Sequence, residues 1–421
     1  MPEFTGDALS IHSFGVLRLP DRIHFGEGSF ASVPREAVRL GRRVLVVCDP
    51  FLLETEELSG LLESLASEGA IVSVESEIIP ELPLDVVERV SGRCRSAQPD
   101  VIIGFGGGSA LDMAKLVSLT LRHGAPLTQY YGENAVPGPV VPLIAIPTTA
   151  GTGSEVTGVA VLTDPDRDLK VGISSPYLIP RIAVVDPLLS VGAPARVTAA
   201  SGADAFVHAV EAFTAAVRDP IWGAEQPVFV GRNDLSSLLA LTAVRIIFDA
   251  LPRAVRDGGD LAARHAMAYG SLLAGMAFGS AGTHLSHAIQ YPVGALTHTP
   301  HGVGTGMLLP FVLREIRASA SDRLAEIAEA IGVATGNAET SADAAIVAIA
   351  SMMREIGLPA SLAEMGVTEA DVAKIVDLTL SVKRLVANST LVPDYESIAR
   401  IVTAAYLGNL ASELPELHTA G

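Results

Sequence analysis

Along the first half of the chain, short apolar runs rich in β-branched residues alternate with stretches of helical periodicity. Residues 44–47 form one such run, a helical pattern over 56–68 follows, and 71–74 form the next. The order continues with a helix near 84–96, a strand at 101–105, a helix from Ser109 and an apolar strand at 142–146. Runs without a polar face suit strands covered on both sides, and their alternation with helices predicts a parallel sheet. After about Pro194 the strand signals nearly vanish. Ala-rich helical segments succeed one another at 199–214, 235–251, 261–278 and 321–331, then at 341–356, 369–380 and 395–407. The predicted architecture is an α/β domain over residues 1–195 and an all-helical domain over 196–421. A chain of 421 residues exceeds what one core usually serves.

Composition narrows the class. The chain is 49% apolar and 18% charged, enough to bury a large core. Its 47 acidic against 29 basic residues give a net charge of -18, which repels a phosphate backbone and an anionic membrane surface and argues against nucleic acid and membrane partners. Apolar stretches are broken by Gly, Pro or charge before reaching about 18 residues, and Met1-Pro2-Glu3-Phe4 lacks a basic signal-peptide start, so a cytoplasmic protein is expected. Cys48 and Cys94 lie in apolar patterns with no Cys-x-x-Cys pairing, which reads as two small buried side chains.

The first candidate chemistry lies where strand 101–105 runs into Gly106-Gly107-Gly108-Ser109, with Ser109 expected to cap the following helix and Asp112 three residues on. Without side chains, such a turn lets backbone N–H groups and the helix dipole approach a pyrophosphate; an ordinary capped turn is the plainer reading. A second polar loop, Pro147-Thr148-Thr149-Ala150-Gly151-Thr152-Gly153-Ser154-Glu155, follows the strand at 142–146. Its position matches the carboxyl edge of a sheet, where α/β folds bind ligands. Asp49 ends the strand at 44–48 and reads either as a ribose-binding acid that favours NAD over NADP or as a turn-forming residue before Pro50. It precedes the glycine turn, the reverse of the usual dinucleotide fingerprint.

Asp204 and His208 stand four residues apart on one helical face, a spacing that suits an exposed ion pair or cap as well as a metal. What changes the weight is clustering: His284, His287, His298 and His301 fall within a short apolar stretch, although the chain has only 10 histidines. His287 and His301 can converge with Asp204 and His208 to give three nitrogens and one carboxylate oxygen. His284 and His298 read as supporting or cleft residues, and Phe278 and Thr283 as further candidates for the cleft lining.

Four ordered motifs resemble the iron-containing, or group III, alcohol dehydrogenases. They are Gly106-Gly107-Gly108-Ser109-x-x-Asp112-x-x-Lys115, Pro147-Thr148-Thr149-x-Gly151-Thr152-Gly153-Ser154-Glu155, Asp204-Ala205-x-x-His208-x-x-Glu211, and His287 through Pro300-His301-Gly302. The resemblance covers nearly the whole chain. It implies a dehydroquinate synthase-like architecture with the active site between the two domains, and one divalent metal, Fe2+ ahead of Zn2+, on Asp204, His208, His287 and His301. It also implies NAD held by Asp49, Gly106, Gly107, Gly108, Ser109, Asp112, Thr148, Thr149, Thr152, Ser154 and Lys170. The implied activity is hydride transfer between a small alcohol, or its aldehyde or ketone, and NAD, in a homodimer. Many relatives carry a histidine where this chain has Tyr291. The proton route is therefore assigned to Tyr291, His284, the cofactor ribose or water, with helix termination before Pro292 as the plain reading of Tyr291. Tyrosine there also resembles the hydroxyacid-oxoacid transhydrogenase branch, in which the cofactor is retained and the substrate is a hydroxyacid. A dehydroquinate synthase-type lyase is the more distant alternative.

Overall fold

The computed structural model describes residues 14–410 except Asp168 and Pro220; Met1-Pro2-Glu3-Phe4 lies outside the described residues. Six strands, β1 (Arg22–Phe25), β2 (Arg43–Cys48), β3 (Ile71–Glu75), β4 (Val101–Gly106), β6 (Leu143–Pro147) and β9 (Ile182–Val185), form one sheet in the order β1-β9-β6-β4-β2-β3. Every pairing in it is parallel. A smaller sheet joins β5 (Gly132–Glu133), β8 (Leu169–Ser174) and β7 (Val159–Asp164) in the order β5-β8-β7.

The unbroken apolar runs have a direct cause. On β2, Leu45 and Val47 enter the core beneath α3 (Leu84–Cys94) and α4 (Gly108–His123). Val44, Val46 and Cys48 enter the core beneath α1 (Val33–Leu40) and α2 (Glu56–Ser67) on the opposite face. A strand covered on both faces has no position left for a polar residue. Cys48 and Cys94 are free and buried, and burial pushes each thiol up to about 11.

Beyond β9 the named elements among the described residues are helices joined by irregular segments. They form α5 (Ala195–Thr214), α6 (Asp234–Arg256), α7 (Leu261–Ala281), α8 (Leu285–Thr297), α9 (His301–Ala330), α10 (Ala338–Glu355), α11 (Val372–Ser381), α12 (Lys383–Val386) and α13 (Tyr395–Leu407). A single apolar core runs through this bundle from Ala199 on α5 to Ala405 on α13. Its central contact is the packing of α5 against α6, α7 and α9. Among the described residues α6 alone is long and apolar enough to cross a membrane, yet it lays Ala240, Val244, Ile247 and Leu251 into that core.

Two local expectations are corrected. Ser109 does not cap α4: the helix begins at Gly108 with Gly107 as its N-cap, so the cap position is supplied by backbone alone. Pro292 does not end α8, which runs on to Thr297. The proline lies inside the helix as its eighth residue, where it withholds the donor that the Ala288 carbonyl would otherwise receive, and the helix continues past it.

Candidate metal centre and cofactor cleft

Helix α5 carries Asp204 and His208 one turn apart, both buried, so the exposed ion-pair reading is excluded. Helix α8 brings His287 and the first residue of α9 brings His301 to the same carboxylate. The Nε2 atoms of His287 and His301 lie 3.7 Å and 3.8 Å from Asp204 Oδ1, and His208 Nε2 lies 3.8 Å from Asp204 Oδ2. These separations are too long for hydrogen bonds. They are close to the roughly 3.4 Å edge of a tetrahedron whose metal–ligand bonds are about 2.1 Å. Donor atoms of Asp204, His287 and His301 all lie within 4.8 Å of one another, with His208 joining through the second carboxylate oxygen. His287 Nε2 is buried and has no hydrogen-bond partner. A divalent ion fits this donor set: burial lowers His208 to about 4 and His301 to about 3, leaving neutral imidazoles with lone pairs free at neutral pH.

The site is braced from behind by Glu211, one turn further along α5 and fully buried. Its Oε2 accepts from His287 Nδ1 at 2.7 Å and from the His284 N–H at 2.8 Å, while Oε1 accepts from the Ser286 N–H at 2.6 Å. Burial opposes ionisation of Glu211, but His284, His287 and these donors outweigh it and hold its pKa well below the carboxylate range. One acid therefore fixes the His287 tautomer and ties the start of α8 to α5. Sequence reading quoted Glu211 within a motif but gave it no role; the spacing Asp204, His208, Glu211 on one helical face was the available signal.

His284 departs from its expected part in the proton route. It is fully buried, with Nε2 on the Thr214 hydroxyl at 2.9 Å and Nδ1 3.3 Å from Glu211 Oε1, so no solvent or substrate reaches it. Tyr291 remains at the site: its ring centroid lies 6.4 Å from that of His301. Burial raises the phenol's pKa, partly offset by the Arg384 guanidinium beside it. Of the cleft candidates, Phe278 stacks on His208 with centroids 4.1 Å apart, Thr283 is buried, and His298 is largely exposed as the left-handed cap of α8.

The glycine turn faces this centre from the sheet's carboxyl edge. Asp49 and the turn meet because β2 and β4 are neighbours, with Cys48 opposite Phe105. The Gly107 N–H donates to Asp49 Oδ2 at 2.7 Å, which leaves the other carboxylate oxygen without a partner in the turn. Burial raises the Asp49 pKa against the pull of that bond. Gly106 has φ 150°, and a β-carbon there would stand 2.3 Å from Asp49 Oδ2, so glycine is required. Across the turn, Thr149 and Thr152 approach Gly107 and Gly108, and the Thr148 N–H donates to Gly106 O. Asp112 and Ser154 are joined to each other beside the turn. The Ser154 hydroxyl donates to Asp112 Oδ1 at 2.6 Å and the Val161 N–H to Oδ2 at 2.9 Å, so both brace the loop against α4. Lys115 braces the same junction through Thr157 O and Val159 O. Lys170 points toward the metal cluster, where its charge helps depress His301, and pairs with Glu81 at 3.0 Å.

The fold and this site together define an α/β domain with a glycine-rich turn at its sheet edge, joined to a helical domain that carries a histidine-carboxylate cluster able to hold a metal ion. Residues 20–187 match the family model described as iron-containing alcohol dehydrogenase, and residues 198–406 match that of the Fe-containing alcohol dehydrogenase C-terminal region. The chain belongs to the iron-containing alcohol dehydrogenase family. It is 36% identical to long-chain-alcohol dehydrogenase 1 of Geobacillus thermodenitrificans, over 93% of this chain and 96% of that protein. It is 34% identical to an NAD-dependent methanol dehydrogenase of Bacillus methanolicus, over 84% and 90%. The solved alcohol dehydrogenase from Oenococcus oeni superposes with a TM-score of 0.86 at 29% identity, covering 93% of this chain and all of that one.

Proposed function

We propose that this protein interconverts a small alcohol and its aldehyde or ketone with NAD, at one divalent metal held by Asp204, His208, His287 and His301. The observation that carries the reading is the convergence of three imidazoles, those of His208 and His287 buried and that of His301 half-buried, on one carboxylate at metal-sharing distances. When bound, the metal supplies Lewis acidity to the substrate oxygen and NAD takes the hydride. The protein's residues do the rest. Glu211 takes the hydrogen bond of His287 Nδ1 and so turns Nε2 toward the metal, and His208 and His301 stay neutral through burial. The Gly106-Gly107-Gly108-Ser109 turn offers N–H groups and a helix start to the pyrophosphate, with Thr148, Thr149 and Thr152 beside it. Asp49 offers its unshared oxygen to the ribose, which favours NAD over NADP. Lys170 stands between cofactor and metal, and Tyr291, protonated through neutral pH, carries the proton route that His284 cannot.

Residues 1–195 serve as the cofactor domain and 196–421 as the metal domain in this reading. Iron is the preferred ion over zinc, the working unit is a homodimer, and the compartment is the cytoplasm. The test is removal of the metal by chelation, or His287→Ala, followed by assay with short primary alcohols. Alcohol-dependent NADH formation is expected to be lost in both and restored by Fe2+ only in the chelated wild type. Undiminished turnover in either overturns the reading.

A further inference from the structure

Helix α9 directs two residues of one face at Asp204: His301, a candidate ligand, and Thr305, four residues further on. Thr305 is fully buried, and its hydroxyl lies 3.1 Å from Asp204 Oδ1. A threonine inside a helix ordinarily returns its hydroxyl to the carbonyl three or four residues back. Thr120, Thr214 and Thr379 do so, at 3.0, 2.8 and 2.7 Å. At Thr305 the corresponding contact, to Gly302 O, is stretched to 3.4 Å. A hydroxyl has one proton, and the nearer, charged acceptor takes it, so Thr305 donates to the carboxylate.

Among the described residues this is the only hydrogen bond that the Asp204 side chain accepts. The three imidazole nitrogens around it stand 3.7–3.8 Å away, too far to hold it by hydrogen bonding. Yet its orientation matters. Oδ1 faces His287 and His301 while Oδ2 faces His208, and turning the carboxylate about its Cβ–Cγ bond would withdraw both oxygens from those positions. We propose that Thr305 is a positioning residue for the metal site: its hydroxyl fixes the plane of the Asp204 carboxylate, so that each oxygen holds its place among the imidazoles before an ion arrives. Glu211 braces His287 from α5, and Thr305 braces Asp204 from α9, so the two supports reach different ligands from different helices. The inference rests on the metal reading proposed above and adds a residue to it.

The experiment titrates the metal-free full-length protein with Co2+ against a chelator of known affinity, and records the visible absorption bands of the bound ion, which report ligand geometry. It compares wild type with Thr305→Ser, Thr305→Val and Thr305→Ala. Serine keeps the hydroxyl and drops the methyl group, valine keeps the volume and drops the hydroxyl, and alanine drops both. Thr305→Ser is expected to bind Co2+ nearly as tightly as wild type, with the same bands. Thr305→Val and Thr305→Ala are expected to bind it about 10- to 100-fold more weakly, with shifted bands. Equal affinity in all four proteins overturns the inference. So does a grouping by volume, with Thr305→Val like wild type and Thr305→Ser like Thr305→Ala. If Thr305→Val fails to fold, the contrast between Thr305→Ser and Thr305→Ala decides the same question, since both are smaller than threonine and only one keeps the hydroxyl. A wild type that takes up no Co2+ overturns the metal reading and the inference with it, whereas wild-type uptake indifferent to the Thr305 hydroxyl overturns the inference alone.

Discussion

Glu211 and His287 are joined by a 2.7 Å hydrogen bond at full burial, although 76 residues separate them along the chain. That bond decides which nitrogen of His287 carries the proton. Because a carboxylate can only accept, Nδ1 is the protonated atom and Nε2 is the one left for a metal. Glu211→Gln keeps the shape but presents an amide that can donate or accept, so the tautomer is no longer enforced. Metal affinity is expected to fall about 10- to 100-fold. Competition with a chelator of known affinity measures it, and unaltered binding would show that Glu211 serves only to pin the start of α8.

His301 depends on a glycine. A β-carbon at Gly302 would stand 2.0 Å from Ala200 O on α5 and 2.9 Å from the Asp204 β-carbon. This close approach is what seats the start of α9, and with it His301, against Asp204. Gly302→Ala must push the two helices apart, since the nearest atom is backbone and cannot rotate away. The expected result is at least tenfold weaker metal binding, with all four ligands still present, and a loss of about 1–3 kcal/mol in stability. Metal titration with a parallel denaturant series checks both; retained affinity would place the constraint elsewhere.

The legible part of this molecule is the part set by local pattern. The strands at 101–105 and 142–146 and the helix at 395–407 come through because burial on two faces, or one apolar stripe, leaves a periodic trace. Of the candidate metal site, the sequence carries the i,i+4 spacing of Asp204 and His208 and the histidine clustering around His287 and His301, and the structure brings these two groups together. The rest was set by distant partners. The resemblance implies a cofactor role for Asp112, and no local pattern signals the partners its oxygens have in the fold, the Ser154 hydroxyl and the Val161 N–H, more than 40 residues away. His284 reads from the sequence as a supporting or cleft residue and as one candidate for the proton route; only the fold shows that Thr214 and Glu211 enclose it. Strands β5 and β7 leave little trace, because β5 has only two residues and β7 alternates buried with half-buried positions instead of forming an unbroken apolar run.

Asp49 ties cofactor choice to the glycine turn. Its Oδ2 accepts from Gly107, and its charge stands where a ribose would be read. Asp49→Asn retains a carbonyl acceptor for Gly107 and removes the charge, so the turn should persist while repulsion of a 2′-phosphate disappears. The ratio of kcat/KM for NAD over NADP is expected to fall by about 10-fold or more, with little change in thermal stability. Gly106→Ala is expected to do the opposite, damaging binding of both cofactors because the new β-carbon displaces the Asp49 carboxylate. Steady-state kinetics with each cofactor, together with melting curves, distinguishes the two variants. Equal losses for NAD and NADP in Asp49→Asn would deny the acid any role in selectivity.

Glu155 gives the protein a pH dependence that can be isolated. It ends the second cofactor loop, is buried, and is raised to about 7, chiefly by burial, with its backbone bond and Lys115 pulling the other way. In the unfolded chain a glutamate titrates near 4.3. Between about pH 4.3 and 7 the folded state therefore binds more protons than the unfolded state, and stability falls as pH rises through that window. Above pH 7 the loss is complete, up to about 3 kcal/mol for this group alone. Glu155→Gln carries no titrating proton, so its stability relative to wild type should climb between pH 4.5 and 7 and then level off. Denaturant midpoints for both proteins across that range measure the difference directly. A difference that stays flat would mean that Lys115, lowered by burial to about 8, keeps Glu155 ionised throughout and that the two act as a buried ion pair beneath the loop.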